Sequence, residues 1–252
     1  MFKKINILNF IFLCSVVGCS NTIDKTISPP ENSKLVSVKI KNPSIYTKPF
    51  PLAVRYISQE CKKRRISGFD GSVIIEPSYN VIQATLKQKD NDIWIAQIAT
   101  IGGGKCRWML SAITLGIEYS DAIHLRKDLT LGSAAGMIIA FDNDASRNGQ
   151  YSTIKGDINV SPKYYPYIRE KKIDKIENTL SLLGKESFIT LRAIESWNIV
   201  FSPKLDENKI VIFEGIEKKE KGVYPKIIYP DGTIAPPKTL FPDFDKVDKM
   251  KL

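Results

Sequence analysis

From Ser72 to Gly116 and just beyond, the chain is written in short apolar runs, SVIIEP, NVIQATLKQ, DIWIAQIAT and RWMLSAITLGIEY, separated by PSYN, KDND and GGG. β-Branched and aromatic residues in runs of this length, punctuated by turn residues about every ten positions, favour antiparallel strands, because branched side chains suit a pleated surface and lose rotamer freedom in a helix. The stretch LGSAAGMIIAFDN from Leu131 continues the pattern, with Ala134, Ala135 and Gly136 small enough for neighbouring backbone to come close. Further on, SFITLRAIE, WNIVFSP and KIVIFEG read as additional strands.

One stretch reads as a helix. In REKKIDKIENTLSLLGKES, Ile173, Ile176, Leu180 and Leu183 recur at spacings of three and four, Lys172, Asp174, Lys175 and Glu177 fall on the other side, and Gly184 follows as a C-cap. The expected fold class is therefore α+β, mainly antiparallel β-sheet with one clear packed helix. LVSVKI at 35–40 reads as an edge strand, and Pro230-Asp231-Gly232 as a hairpin turn in a proline-punctuated C-terminal strap.

The N-terminus carries a different signal. Lys3 and Lys4 precede a short apolar stretch from Ile5 to Val17, and no acid appears before Asp24. A spanning helix needs about 20 apolar residues, and the polar run SNTIDKTISPPENS starts too soon, so the segment reads as an export signal. Val16-Val17-Gly18-Cys19 resembles the bacterial lipobox, in which a small residue precedes a cysteine that is acylated before cleavage; Cys14 follows the bulky Leu13 and is discarded with the signal. The expected organisation is a signal peptide at 1–18, a flexible tether at 19–33 and a single β-rich globular domain with an irregular C-terminal strap at 34–252. Lipidation at Cys19 anchors without inserting. Ser20 in place of the aspartate that retains enteric lipoproteins in the inner membrane favours the periplasmic face of the outer membrane.

Loss of Lys3 and Lys4 takes the 37 basic residues to 35 against 27 acids, a balance of +8. In the periplasm this excess meets no nucleic acid; its partners are anionic headgroups or an acidic protein, unless it is simply spread as solubilising charge. The run Cys61-Lys62-Lys63-Arg64-Arg65 is open to the same two readings, a headgroup patch or a solvated face. Cys61 and Cys106 remain after Cys19, and an oxidising compartment favours a bridge between them over two buried thiols.

Searches for chemistry return little. His124 is the only histidine, Gly132-Ser133-Ala134-Ala135-Gly136 puts Ser133 one place early for a nucleophile elbow, and Gly102-Gly103-Gly104-Lys105-Cys106 lacks the spacing and hydroxyl of a phosphate loop. Asp142-Asn143-Asp144-Ala145-Ser146 starts like a calcium loop, but Arg147 occupies its glycine position. The expectation is a protein that is not an enzyme and carries no metal and no cofactor.

KDLTLGSAAGMIIAFDNDASRNGQY, then KGDINVSP, LLGKESF, YPDGTI and FPDF, resemble enterobacterial lipoproteins encoded beside type VI secretion phospholipase effectors. The resemblance covers about residues 34–245 and implies an immunity protein that binds and neutralises a cognate secreted lipase at the membrane, without a cofactor. Its contact residues do not transfer, since such surfaces match their own toxin. Asp142, Asp144, Arg147 and Asn148, with Tyr151, Tyr164 and Tyr165, are the candidates, because aromatics and arginine are enriched at binding hot spots. An envelope assembly lipoprotein and a lipid-binding lipoprotein with an apolar cavity are the alternatives.

Overall fold

The computed structural model describes residues 22–145, 151–173 and 175–251. In chain order its strands are β1 (Leu35–Lys41), β2 (Thr47–Pro49), β3 (Leu52–Ile66), β4 (Val73–Ala84), β5 (Lys87–Gln88), β6 (Ile93–Ala99), β7 (Ile101–Gly103), β8 (Trp108–Tyr119), β9 (Leu129–Leu131), β10 (Ala135–Ala140), β11 (Ser152–Lys155), β12 (Ile158–Val160), β13 (Lys163–Lys171), β14 (Glu177–Leu183), β15 (Thr190–Ile194), β16 (Asn198–Phe201), β17 (Lys204–Leu205), β18 (Val211–Glu214) and β19 (Lys226–Ile228). The α-helix, α1, is Phe244–Lys249.

These strands form three sheets. One has the order β12-β16-β1-β6-β5; the largest runs β11-β15-β10-β8-β3-β4, with β2 and β7 also on β8; the third runs β19-β18-β13-β14-β9, with β17 on β13. The alternation in LVSVKI is strict: Val36, Val38 and Ile40 are fully buried. β1 is not an edge strand but sits between β16 and β6. The principal core lies between these elements, around Trp108, Tyr56, Ile113, Leu115, Ile139 and Phe201.

The expected helix does not form. Leu180 and Leu183 lie in β14, antiparallel to β13 with Ile168 opposite Leu180 and Tyr165 opposite Leu183, and Ile173 and Ile176 fall in the connection between the two strands. Leu180 and Leu182, two apart, are the residues that go inside, while Ile176 is exposed. The spacing of Ile173, Ile176, Leu180 and Leu183 fits a helix locally, but β14 pairs with β13 on one side and with the distant β9 on the other, and that pairing imposes the strand period. Gly184 is not a cap; it lets backbone come close, since a Cβ there would run into the Lys163 carbonyl oxygen.

Two further boundaries move. Residues 22–33, expected within a spacer, lie on the domain: the indole N–H of Trp108 donates to the Asp24 carbonyl at 3.2 Å, and Ile23 and Ile27 pack on the core. The C-terminal strap is ordered and ends in α1, capped by Asp243, whose carboxylate accepts the amides of Asp245 and Lys246. The Pro230-Asp231-Gly232 turn is present, closed by the Tyr229 amide donating to the Thr233 carbonyl at 2.8 Å.

Candidate functional site

The largest sheet supplies the first exposed feature. β8 pairs with β3 only through Ala53 to Ile57. After Ser58, opposite Ser78, the register jumps to Lys62 opposite Pro77, so residues 59–61 bulge. Beyond the bulge, 62–66 and 73–77 continue as a two-stranded ribbon. Such a ribbon is marginal unless fixed at its root. Here the root is fixed by the Cys61–Cys106 disulfide and by Ser58, whose hydroxyl donates to the Cys106 carbonyl at 2.5 Å and accepts the Cys61 amide at 2.9 Å. Gly103 and Gly104, at φ 62° and 70°, turn the chain so that Cys106 reaches Cys61.

Residues directly opposed across an antiparallel pair share a face. On one face of the ribbon Lys63 and Arg65 reach the Glu76 carboxylate at 3.0 and 3.2 Å, and their hydrogen bonds hold its pKa below the usual range. The other face carries Lys62, Arg64, Ile66, Val73 and Ile75, and no acid. Among the described residues Lys62 and Arg64 have no ion-pair partner, and Ile66, Val73 and Ile75 are solvent-exposed. The turn 67–72 is tied by Ser67 and Ser72, and Asp70 accepts the Ser72 amide and hydroxyl at 3.1 and 2.8 Å. Hydrogen bonds from Ser67 and then Ser72 draw the Asp70 carboxyl down to about 2. At the apex Phe69 is 100% exposed.

The C-terminal strap supplies the second exposed feature. Its turn meets α1 where Lys246 donates to the Thr233 hydroxyl at 2.7 Å, and the Asp243 amide donates to the Tyr229 hydroxyl at 3.1 Å. α1 is in turn held by Lys163 on Asp248 at 2.6 Å and Lys185 on Asp245 at 2.7 Å, with Phe244 stacked on Tyr165. On this braced backbone Leu240 and Phe241 are 77% and 75% exposed, Ile234 is exposed as well, and Asp231, Lys238, Asp243 and Lys246 bring charges of both signs.

The residues singled out from sequence are scattered. Tyr164 is fully buried and Tyr165 nearly so, which removes both from a contact surface. β13 is covered on both sides: Tyr164 and Ile168 enter the principal core, whereas Tyr165 and Tyr167 enter a second one with Val211, Tyr229 and Val247. Asp142 turns inward and accepts the Ala145 amide at 2.8 Å, capping a 3-10 turn at Asn143–Ala145 whose backbone includes Asp144. Tyr151 is exposed, with the Arg192 guanidinium over its ring. Arg147 and Asn148 lie outside the described residues, as does Cys19. Phe69, Leu240 and Phe241 are exposed side chains that the sequence did not single out; GFDG and FPDF flag turns but not which side chain is left outside.

His124 belongs to a clip between loops. It stacks on Tyr46 with centroids 3.5 Å apart, and its Nε2 lies 2.9 Å from Glu207, which also accepts the Tyr119 hydroxyl at 3.2 Å. Burial and the Glu207 charge push the Tyr119 phenol well above its ordinary range, so it remains a donor. Among the described residues there is no grouping of three metal-ligating side chains, and no helix is long and apolar enough to cross a membrane. Comparison with known protein families, curated proteins and solved structures finds no match.

Proposed function

We propose that this protein is a lipid-anchored periplasmic lipoprotein that binds and neutralises a secreted phospholipase, with the C-terminal strap as its protein-docking face. The observation that carries the docking face is the exposure of Leu240, Phe241 and Ile234 on a backbone braced by α1 and the Asp231 turn. Apolar anchors held rigid and rimmed by both charge signs are the make-up of a protein interface centre, because little ordering entropy is lost on contact. The sequence resemblance supports the target, and the Cys61–Cys106 bridge supports an oxidising compartment. Inhibition by covering a lipase mouth asks for shape and not for catalytic groups, and a lipid at Cys19 raises the inhibitor's local concentration where the lipase acts.

The test is co-expression with a periplasm-directed phospholipase effector of the class the resemblance implies. The chain is expected to restore growth and to co-purify with the lipase. A Leu240→Asp/Phe241→Asp variant is expected to lose both while keeping the parent's urea midpoint, and Cys19→Ser to weaken protection without abolishing binding. Failure of the unaltered chain to protect or to bind overturns the reading.

A further inference from the structure

We propose that the ribbon at the end of β3 and β4 is a second membrane contact, whose acid-free face seats on anionic phospholipid headgroups while Phe69 enters the interface. The ribbon sorts its charge by face. Glu76 is spent on Lys63 and Arg65 on one face, which leaves Lys62 and Arg64 on the other beside Ile66, Val73 and Ile75. Unpaired cations interleaved with exposed apolar residues suit a surface that is anionic outside and apolar just beneath. Phe69 stands at the apex between Gly68 and Gly71, where a Cβ on either glycine would meet no atom within 4 Å. None of the described residues crowds the tip.

Position points the same way. The N-terminal segment lies against the ribbon's root, where the Asn80 side-chain amide donates to the Lys25 carbonyl at 2.7 Å and the Trp108 indole donates to the Asp24 carbonyl. Residue 19 is three residues from Thr22, a span of at most about 10 Å. A lipid at Cys19 therefore tethers the root of the ribbon near the bilayer, since Lys25 lies at most about 22 Å of chain from residue 19. A protein occupant is disfavoured because six side chains on a two-stranded finger fall well short of the roughly 20 to 30 residues per side of a standard interface.

The proposal is independent of the lipase as target, and its test uses the mature chain with Cys19→Ser, exported behind an ordinary cleavable signal so that no lipid is added. Vesicles of phosphatidylcholine alone, or with one quarter phosphatidylglycerol, are sedimented with this protein at low and high salt. Binding is expected only to the anionic vesicles, falling as salt rises. Lys62→Glu/Arg64→Glu is expected to weaken it by at least about 30-fold, at about fivefold per cation. Lys218→Glu/Lys219→Glu, away from the ribbon, should change it far less. Phe69→Trp should give a blue-shifted emission on anionic vesicles, and its loss of fold would be evident from the urea midpoint. Equal binding to both vesicle types, no binding to either, or indifference to the ribbon variants would overturn the proposal. So would complete competition by millimolar inorganic phosphate, which marks a free-phosphate site, or loss of lipase capture alone in the ribbon variants, which marks a protein contact. The strap variants of the previous section fail or succeed separately.

Discussion

The indole N–H of Trp108 donates to the carbonyl of Asp24, joining the first described residues to the strand next to the disulfide. Trp108 is fully buried, and the segment that covers it contributes Ile23 and Ile27 to the core. Deleting residues 22–33 uncovers this apolar surface and leaves the indole N–H without its partner. The expected loss is on the order of 3 kcal/mol, from partial burial of two isoleucines and one hydrogen bond. An unchanged urea midpoint in the truncated protein would show that the segment contributes nothing.

The Cys61–Cys106 bridge closes a loop with a sequence separation of 45. In the chain-entropy model its removal costs about 4 kcal/mol. Cys61→Ser/Cys106→Ser is expected to lose stability of that size, and amide exchange should quicken most at residues 62–77, where the ribbon loses the fastening at its root. Uniform exchange across the sheet would contradict the root's role.

Docking of α1 depends on acid groups. The hydrogen bond from Lys163, and then that from Tyr165, hold the Asp248 carboxyl below the usual range. A carboxylate whose folded pKa is depressed contributes stability above its unfolded value and loses it as pH falls through the folded one. Protection of the Val247 amide is therefore expected to be constant from neutral pH down to about pH 5 and to fall below about pH 4. Asp248→Asn should lower it already at neutral pH. Because the pair is exposed, molar salt should weaken it too.

Much of this architecture was legible from local pattern. The β-branched runs from Ser72 onward became β4, β6 and β8, and two cysteines left over after Cys19 became one bridge. What failed depended on distant partners. Ile173, Ile176, Leu180 and Leu183 satisfy a helical spacing, and it is the pairing of β14 with β13 and with the distant β9 that makes the last two strand residues. Tyr164 and Tyr165 are adjacent, so alternation sends one of them outward, but a second core receives it. The basic run at 62–65 was visible, whereas the end of the β8 pairing that frees it as a ribbon is a matter of register between strands about fifty residues apart.

Gly116 and Gly136 face each other across β8 and β10. The sequence reading expected close backbone approach at Gly136, and the packing shows its cause: a Cβ on Gly136 would strike the Leu115 carbonyl oxygen, and one on Gly116 would strike the Ala135 carbonyl oxygen and the Phe50 ring. The obstacle is backbone in both cases, which cannot swing aside as a flexible side chain would. Gly136→Ala must therefore push β10 away from β8 or break their ladder, a cost at or above the roughly 1–3 kcal/mol of ordinary overpacking. Gly156→Ala is the comparison: nothing lies within 4 Å of its Cβ position, but its φ of 83° is strained for alanine. Its cost should come from backbone strain alone, about 1–2 kcal/mol, with the β8–β10 amides still protected. Hydrogen exchange separates the two. Loss of protection at Leu115 and Met137 in Gly136→Ala, but not in Gly156→Ala, is the expected result, and equal protection in both would show that the strands have room to spare.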